Sequence, residues 1–117
     1  MSETYKLFVY GSLKKGYHNH FLLEEAKFLG KKTIKGTMYS LNHFPGVVLK
    51  GESEIEGELY EVDDKTLNLV DRLEGYIEGD DENSLYIRKK VNGMYVYEIN
   101  KSVVSNLTPI YKDKISW

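Results

Sequence analysis

The sequence predicts an α+β fold, a mixed and strongly curved or barrel-like sheet with helices outside it. Three observations carry that expectation. A short unbroken apolar run, Leu7-Phe8-Val9-Tyr10, reads as a strand buried on both faces. Leu67, Leu69, Val70 and Leu73 form an apolar stripe between an aspartate start signal and Gly75. Asn92-Gly93, the strongest local hairpin signal in the chain, separates two strand-like segments.

Taken in order, the first strand stops at Gly11-Ser12, and Lys14-Lys15-Gly16 returns the chain to solvent. Asn19 or His20 opens a short helix through Ala26, with only rough helical spacing. Thr33 to Tyr39 reads as a strand with a bend at Gly36. Phe44-Pro45-Gly46 is a turn, followed by a short strand Val47-Val48-Leu49. Ile55 to Val62 is a separate strand, and Gly57 inside it marks a bulge or a close backbone neighbour. Asp63 or Asp64 caps a helix from Lys65 to about Glu74. Ile77 to Ser84 is an acidic loop, and Leu85 to Val91 pairs with Met94 to Ile99. The stretch from Lys101 is irregular, with Trp117 expected to pack back onto the body. Strand, helix, several strands, helix and hairpin together give the mixed sheet.

Length and composition narrow the function. A chain of 117 residues fits one domain, 1–117, with one core. Sixteen basic against eighteen acidic residues leave a net charge of −2, which argues against nucleic-acid binding because phosphate neutralisation needs a concentrated basic surface. The absence of cysteine excludes disulfides, thiolate nucleophiles and zinc–thiolate sites. Met1-Ser2-Glu3-Thr4 does not open a leader, and no long apolar segment follows, so the expectation is a cytoplasmic protein without a membrane span. Ten tyrosines suit strands and can line a pocket with both apolar area and hydroxyls.

Few residues carry chemistry on their own. The end of the first strand leaves backbone N–H groups at Gly11-Ser12, which suits either an anion-holding turn or an ordinary turn after a core strand. Glu74 shares a helix face with Leu67 and Val70. It is therefore either a carboxylate at the core edge or in a pocket, with its pKa raised toward that of a general base, or an exposed last-turn residue. Gly11 and Gly16 have phosphate-loop spacing, but Tyr17-His18 stand where Lys-Ser/Thr is required. His18 and His20, with the distant His43, lack the carboxylates of a metal site and read as surface or packing residues. Ser12 lacks the glycines of a nucleophile elbow.

Several segments, in order, resemble the gamma-glutamylcyclotransferase-like family. They are Phe8-Val9-Tyr10-Gly11-Ser12-Leu13, Lys15-Gly16, Asn19-His20 and Phe44-Pro45-Gly46. Gly57-Glu58-Leu59-Tyr60-Glu61-Val62, Leu73-Glu74-Gly75-Tyr76, Tyr86-Ile87-Arg88 and Trp117 complete the series. The likeness runs over nearly the whole chain and favours the small single-domain, AIG2-like members.

That resemblance implies a small mixed β-barrel with flanking helices. It implies cyclisation of a γ-glutamyl amide to 5-oxoproline with release of an amine, needing no cofactor, metal or protein nucleophile. Tyr10, Gly11, Ser12 and Leu13 would form the loop that holds the substrate α-carboxylate. Glu74 would be the catalytic acid/base and Tyr86 a supporting residue at the pocket. The partner would be a small γ-glutamyl substrate, and the protein a monomer or homodimer. The segment Ile77 to Leu85 is longer and more acidic than in small members, which suggests a preference for cationic amines. The alternatives are a non-catalytic module of the same fold that binds a γ-glutamyl or other carboxylate ligand, and a protein-interaction domain using the acidic loop.

Overall fold

In the computed structural model, which describes residues 3–117, the strand Thr4–Val9 (β1) lies inside a six-stranded mixed sheet. Leu7, Phe8 and Val9 are at most 3% exposed, so both faces of the strand are covered, as its apolar run predicts. β1 pairs antiparallel with Pro45–Asp63 (β3) and parallel with Met94–Ile99 (β5). Beyond them lie Lys27–Ser40 (β2) against β3 and Tyr86–Val91 (β4) against β5. The order is β2-β3-β1-β5-β4, and Lys114–Ile115 (β6) pairs parallel with β3. The first two residues of the leader reading, Met1 and Ser2, fall outside the described residues.

The class is the mixed α+β one expected, but the sheet is open: β2 and β4 do not pair. Barrel closure needs edge strands of matched length and stagger. Here a 14-residue edge faces one of six residues.

One α-helix, Asp64–Glu74 (α1), follows β3 directly. The Asp63 side chain accepts the Thr66 N–H at 2.8 Å, an N-cap contributing about 1 kcal/mol. Gly75, at φ 69°, ends the helix in the left-handed conformation. Of the predicted stripe only Leu67 and Val70 are buried; Leu69 and Leu73 are exposed. The earlier helix is a single 3-10 turn, His20–Leu23. Asn19 supplies no cap because its amide is turned to the Ser12 hydroxyl, at 2.8 Å.

Val47–Leu49 and Ile55–Val62 are parts of one 19-residue strand, β3, where two strands were expected. Its ladder with β2 jumps from Gly36↔Ser53 to Thr37↔Val48, leaving residues 49–52 as a wide bulge. Gly51 turns through φ 122°, Thr37 Oγ1 donates to the Lys50 carbonyl at 2.6 Å, and buried Glu98 accepts the Leu49 N–H at 2.8 Å. Those contacts carry the chain through a segment that reads locally as a turn. Gly57 marks a close approach: a Cβ there would lie 2.4 Å from the Val9 carbonyl oxygen and 2.6 Å from the Phe8 ring.

Asn92 and Gly93, both with positive φ, form the β4–β5 turn as expected. Trp117 packs against the cluster containing Phe8, Met38 and Ile55. Its main-chain oxygen accepts Lys14 Nζ at 3.1 Å and the Tyr17 hydroxyl at 2.6 Å.

Candidate active site

β1 ends in the sheet interior, so the chain leaving it must turn beside the neighbouring strands. The turn Tyr10-Gly11-Ser12-Leu13 does so, and all four residues line one cavity of about 30 Å³ with Phe44, Pro45, Glu74, Tyr86 and Tyr97. The structure therefore brings together every residue singled out from the sequence for catalysis or binding.

The turn is braced from outside. Gly11 C=O accepts the Lys14 N–H at 3.0 Å, and Ser12 C=O accepts the Asn19 N–H at 3.1 Å. The Ser12 hydroxyl accepts the Asn19 amide, and His20 Nδ1 donates to the Leu13 carbonyl at 2.8 Å. The carbonyls are held by these bonds, while the N–H groups of Gly11, Ser12 and Leu13 donate to no other described residue. Gly11 is required at this point, because a Cβ would lie 2.9 Å from Pro45 Cγ. His20 is thus a brace of the turn. His18 meets the Asn19 amide at 3.2 Å, and among the described residues no three His, Asp or Glu side chains gather as a metal site would need.

Glu74 stands in the last turn of α1, directed into the cavity by Leu67 and Val70 on the same buried face. Its carboxyl has no ion-pair or hydrogen-bond partner among the described residues, and its oxygens are open to the cavity. Burial pushes its pKa up to about 7. Three buried phenols surround it. The Tyr10 hydroxyl donates to the Tyr97 main-chain oxygen at 2.7 Å and accepts the Val47 N–H at 3.2 Å. The Tyr86 hydroxyl donates to the Pro45 carbonyl at 2.5 Å. The Tyr97 hydroxyl donates to Asp71 at 2.5 Å. Burial first holds the Tyr10 and Tyr86 phenols protonated well above the ordinary range, followed by Tyr86 and then Glu74 for Tyr10 and by the Glu74 charge for Tyr86. Tyr97 is raised likewise, by burial and then by its bond to Asp71.

Sequence reading missed Tyr97 and Asp71. Their one signal was the alternation along β5, which places Tyr97 on the same face as Tyr95 and Ile99; nothing local says that this face meets α1. Phe44 and Pro45 were read as a turn and as a family-like segment with no role in the site, though they form a cavity wall beside Tyr86, with Phe44 and Tyr86 ring centroids 6.5 Å apart. The acids of the 77–85 loop are absent from the lining. Asp80 instead caps the 3-10 turn Asp81–Asn83.

Fold and cavity set one half-buried, unpaired carboxyl beside a turn of free amides. The chain belongs to the gamma-glutamyl cyclotransferase, AIG2-like family, whose model matches residues 7–114. That is an enzyme family. The chain is similar to MJ1514 of Methanocaldococcus jannaschii, provisionally named a gamma-glutamylcyclotransferase. The two are 46% identical over 89 residues, 74% of this chain and 69% of that one. It is also similar to the gamma-L-glutamyl-butirosin B gamma-glutamyl cyclotransferase of Niallia circulans, 39% identical over 84 residues, 70% of this chain and 53% of that one. The chain thus spans roughly half to two thirds of these relatives' length. The crystal structure of a mouse AIG2-like protein shares the fold, with a TM-score of 0.73 at 24% identity over 98% of this chain and 88% of that one. Among the described residues no helix is long and apolar enough to cross a membrane.

Proposed function

We propose that this chain cyclises a γ-glutamyl amide to 5-oxoproline and releases the amine, with Glu74 as general acid/base. The observation that carries the reading is the unpaired Glu74 carboxyl, raised to about 7, in one cavity with the amide-bearing turn. The substrate's α-carboxylate would sit on the N–H groups of Gly11, Ser12 and Leu13, an arrangement supported by their lack of an internal acceptor. That anchor folds the glutamyl chain so that its α-nitrogen meets its own γ-carbonyl, and the attack is intramolecular.

The α-nitrogen arrives as an ammonium and cannot attack. Ionised Glu74 takes one proton from it; the freed lone pair forms the C–N bond, and the γ-carbonyl becomes a tetrahedral oxyanion. Collapse restores the carbonyl and breaks the original amide bond, and the departing nitrogen receives the proton held by Glu74. Remaining protons pass between the two nitrogens and solvent, so the sum is γ-glutamyl amide to 5-oxoproline plus amine, with no water consumed. A carboxyl titrating near 7 suits both halves of that transfer at neutral pH.

The test is 5-oxoproline release from a panel of γ-glutamyl amides by wild type and Glu74→Gln. The substitution should lower kcat by about 10²–10⁴-fold while ligand binding persists. Binding of a γ-glutamyl ligand without release by wild type would make the site a binding pocket instead.

A further inference from the structure

Arg88 is a cation for which the proposed reaction has no use, yet it lies on β4 two residues beyond the cavity-lining Tyr86. Its Nη1 donates to Asp71 Oδ2 at 2.7 Å, with the two side chains only 15% and 16% exposed. The guanidinium also lies over the rings of Tyr76 and Tyr95, 5.2 and 4.7 Å from their centroids. The second oxygen of Asp71 accepts the Tyr97 phenol. One carboxylate therefore joins α1, β4 and β5. Tyr97 lines the cavity, and its main-chain oxygen receives the Tyr10 phenol. Asp71 precedes Glu74 by three residues, so the two share a face of the last helical turn. Its carbonyl accepts the Tyr76 N–H at 2.9 Å and closes the helix end.

We infer that Asp71 is a positioning residue for Glu74: it clamps the last turn of α1 onto β4 and β5 and holds Arg88 in an ion pair away from the working carboxyl. A guanidinium released at this place would pair with Glu74 and favour its charged form. A carboxylate locked in such a pair is a poor proton carrier.

The ionisable groups that line the cavity with Glu74, or are linked to its lining, come from four elements. They are Tyr10 after β1, Tyr86 and Arg88 on β4, Tyr97 on β5, and Asp71 on α1 itself. Arg88 and Glu74 both act on the cavity-lining Tyr97 phenol, while burial is what raises Glu74 with the Asp71–Arg88 pair intact. β3 and the turn His20–Leu23 contribute uncharged Val62 and Leu23 to the core shared with α1.

The inference takes Glu74 as the working group and so rests on the cyclotransferase reading, but its test needs no turnover. In protein carrying ¹³C at the glutamate carboxyls, Glu74 can be titrated by NMR, its resonance identified by its loss in Glu74→Gln. Wild type should titrate near 7. Asp71→Asn leaves Arg88 uncompensated and should lower the midpoint by about one pH unit or more. Arg88→Met leaves Asp71 uncompensated and should raise it. The double variant should return it toward wild type. Opposite signs in the two single variants and restoration in the double are not expected of a purely structural pair. A midpoint unmoved in both single variants, or moved in the same direction by both, overturns the inference. If Asp71→Asn does not fold, the upward shift in Arg88→Met must still appear, and its absence counts against the proposal. Tyr97→Phe, which cuts only the phenol arm, should lower kcat for 5-oxoproline release about threefold to tenfold with KM unchanged. If wild type releases no 5-oxoproline while the three titrations behave as stated, the cyclotransferase reading falls and the positioning of Glu74 stands.

Discussion

The Tyr10 phenol donates to the main-chain oxygen of Tyr97 at 2.7 Å, tying the turn after β1 to β5 across 87 residues of sequence. The Tyr10 phenol oxygen in turn accepts the Val47 N–H at 3.2 Å, so one buried hydroxyl joins three strands of the sheet beside the cavity. Tyr10 is a wall of the site and also its main cross-tie.

Tyr10→Phe removes that oxygen and leaves a buried N–H and a buried carbonyl without their partner. The expected loss is about 1–3 kcal/mol of unfolding free energy. Tyr86→Phe frees only the Pro45 carbonyl and should cost less. Urea unfolding of the two variants side by side checks the ranking; equal losses would show that Val47 finds another acceptor.

Activity should fall on the acid side with a midpoint near 7. In the proposed mechanism ionised Glu74 starts the reaction; burial raises its pKa to about 7, and protonation below that value removes the base. The measurement is kcat/KM for 5-oxoproline release between pH 5 and 9. An acid limb in the ordinary carboxyl range would show that Glu74 is better solvated than its burial indicates.

The same carboxyl sets a dependence of stability on pH. Its folded-state pKa of about 7 lies above the ordinary 4.5, so between those values the folded protein holds the proton that the unfolded chain has lost. The stability contributed by the protonated form is complete below the unfolded value and is lost as pH rises through about 7. Glu74→Gln should therefore match wild type in acid and exceed it in mild alkali by up to about 3 kcal/mol. Thermal melts of both proteins across that range decide it, and a constant difference at all pH values would remove the titration from the account.

Gly57→Ala should be among the most damaging single-methyl changes in the chain. The added carbon meets a backbone carbonyl on β1, which cannot rotate away as a side-chain tip can. A loss of about 2–3 kcal/mol is expected. A variant as stable as wild type would mean that β1 and β3 can separate locally without cost.

The acidic loop gives a prediction of no effect. Asp81 and Glu82 are exposed and line no part of the cavity, so Asp81→Asn with Glu82→Gln should leave the ranking of γ-glutamyl amides unchanged. A selective loss of the cationic amides when the panel is run on the double variant would restore the charge-preference expectation drawn from the sequence.

Features set by neighbours in sequence were legible before the structure. Asp63, Gly75 and Asn92-Gly93 impose their caps and turn through local backbone chemistry, and the Leu7–Tyr10 run declares its own burial. What escaped was set at a distance. β3 is one strand because Thr37 and Glu98, far along the chain, satisfy the bulge around Gly51. The first helix shrank to one turn because Ser12 engages the Asn19 side chain that would have capped it. Sheet closure depends on the relative lengths of β2 and β4, which no local pattern encodes. In the site, the turn and Glu74 were legible through family resemblance together with position on a helix face. Tyr97 and Asp71 were not, since their bond joins residues 26 apart in different elements.

The parallel pairing of β1 with β5 has a consequence for the order in which the protein is made. Once made, β1 cannot gain its second neighbour until residues 94–99 have been added. Until then the Tyr10 hydroxyl lacks its acceptor and Glu74 faces no Tyr97. A growing chain can cap α1 and close a β2–β3 hairpin early, but the cavity gains its Tyr97 wall only when β5 docks beside β1.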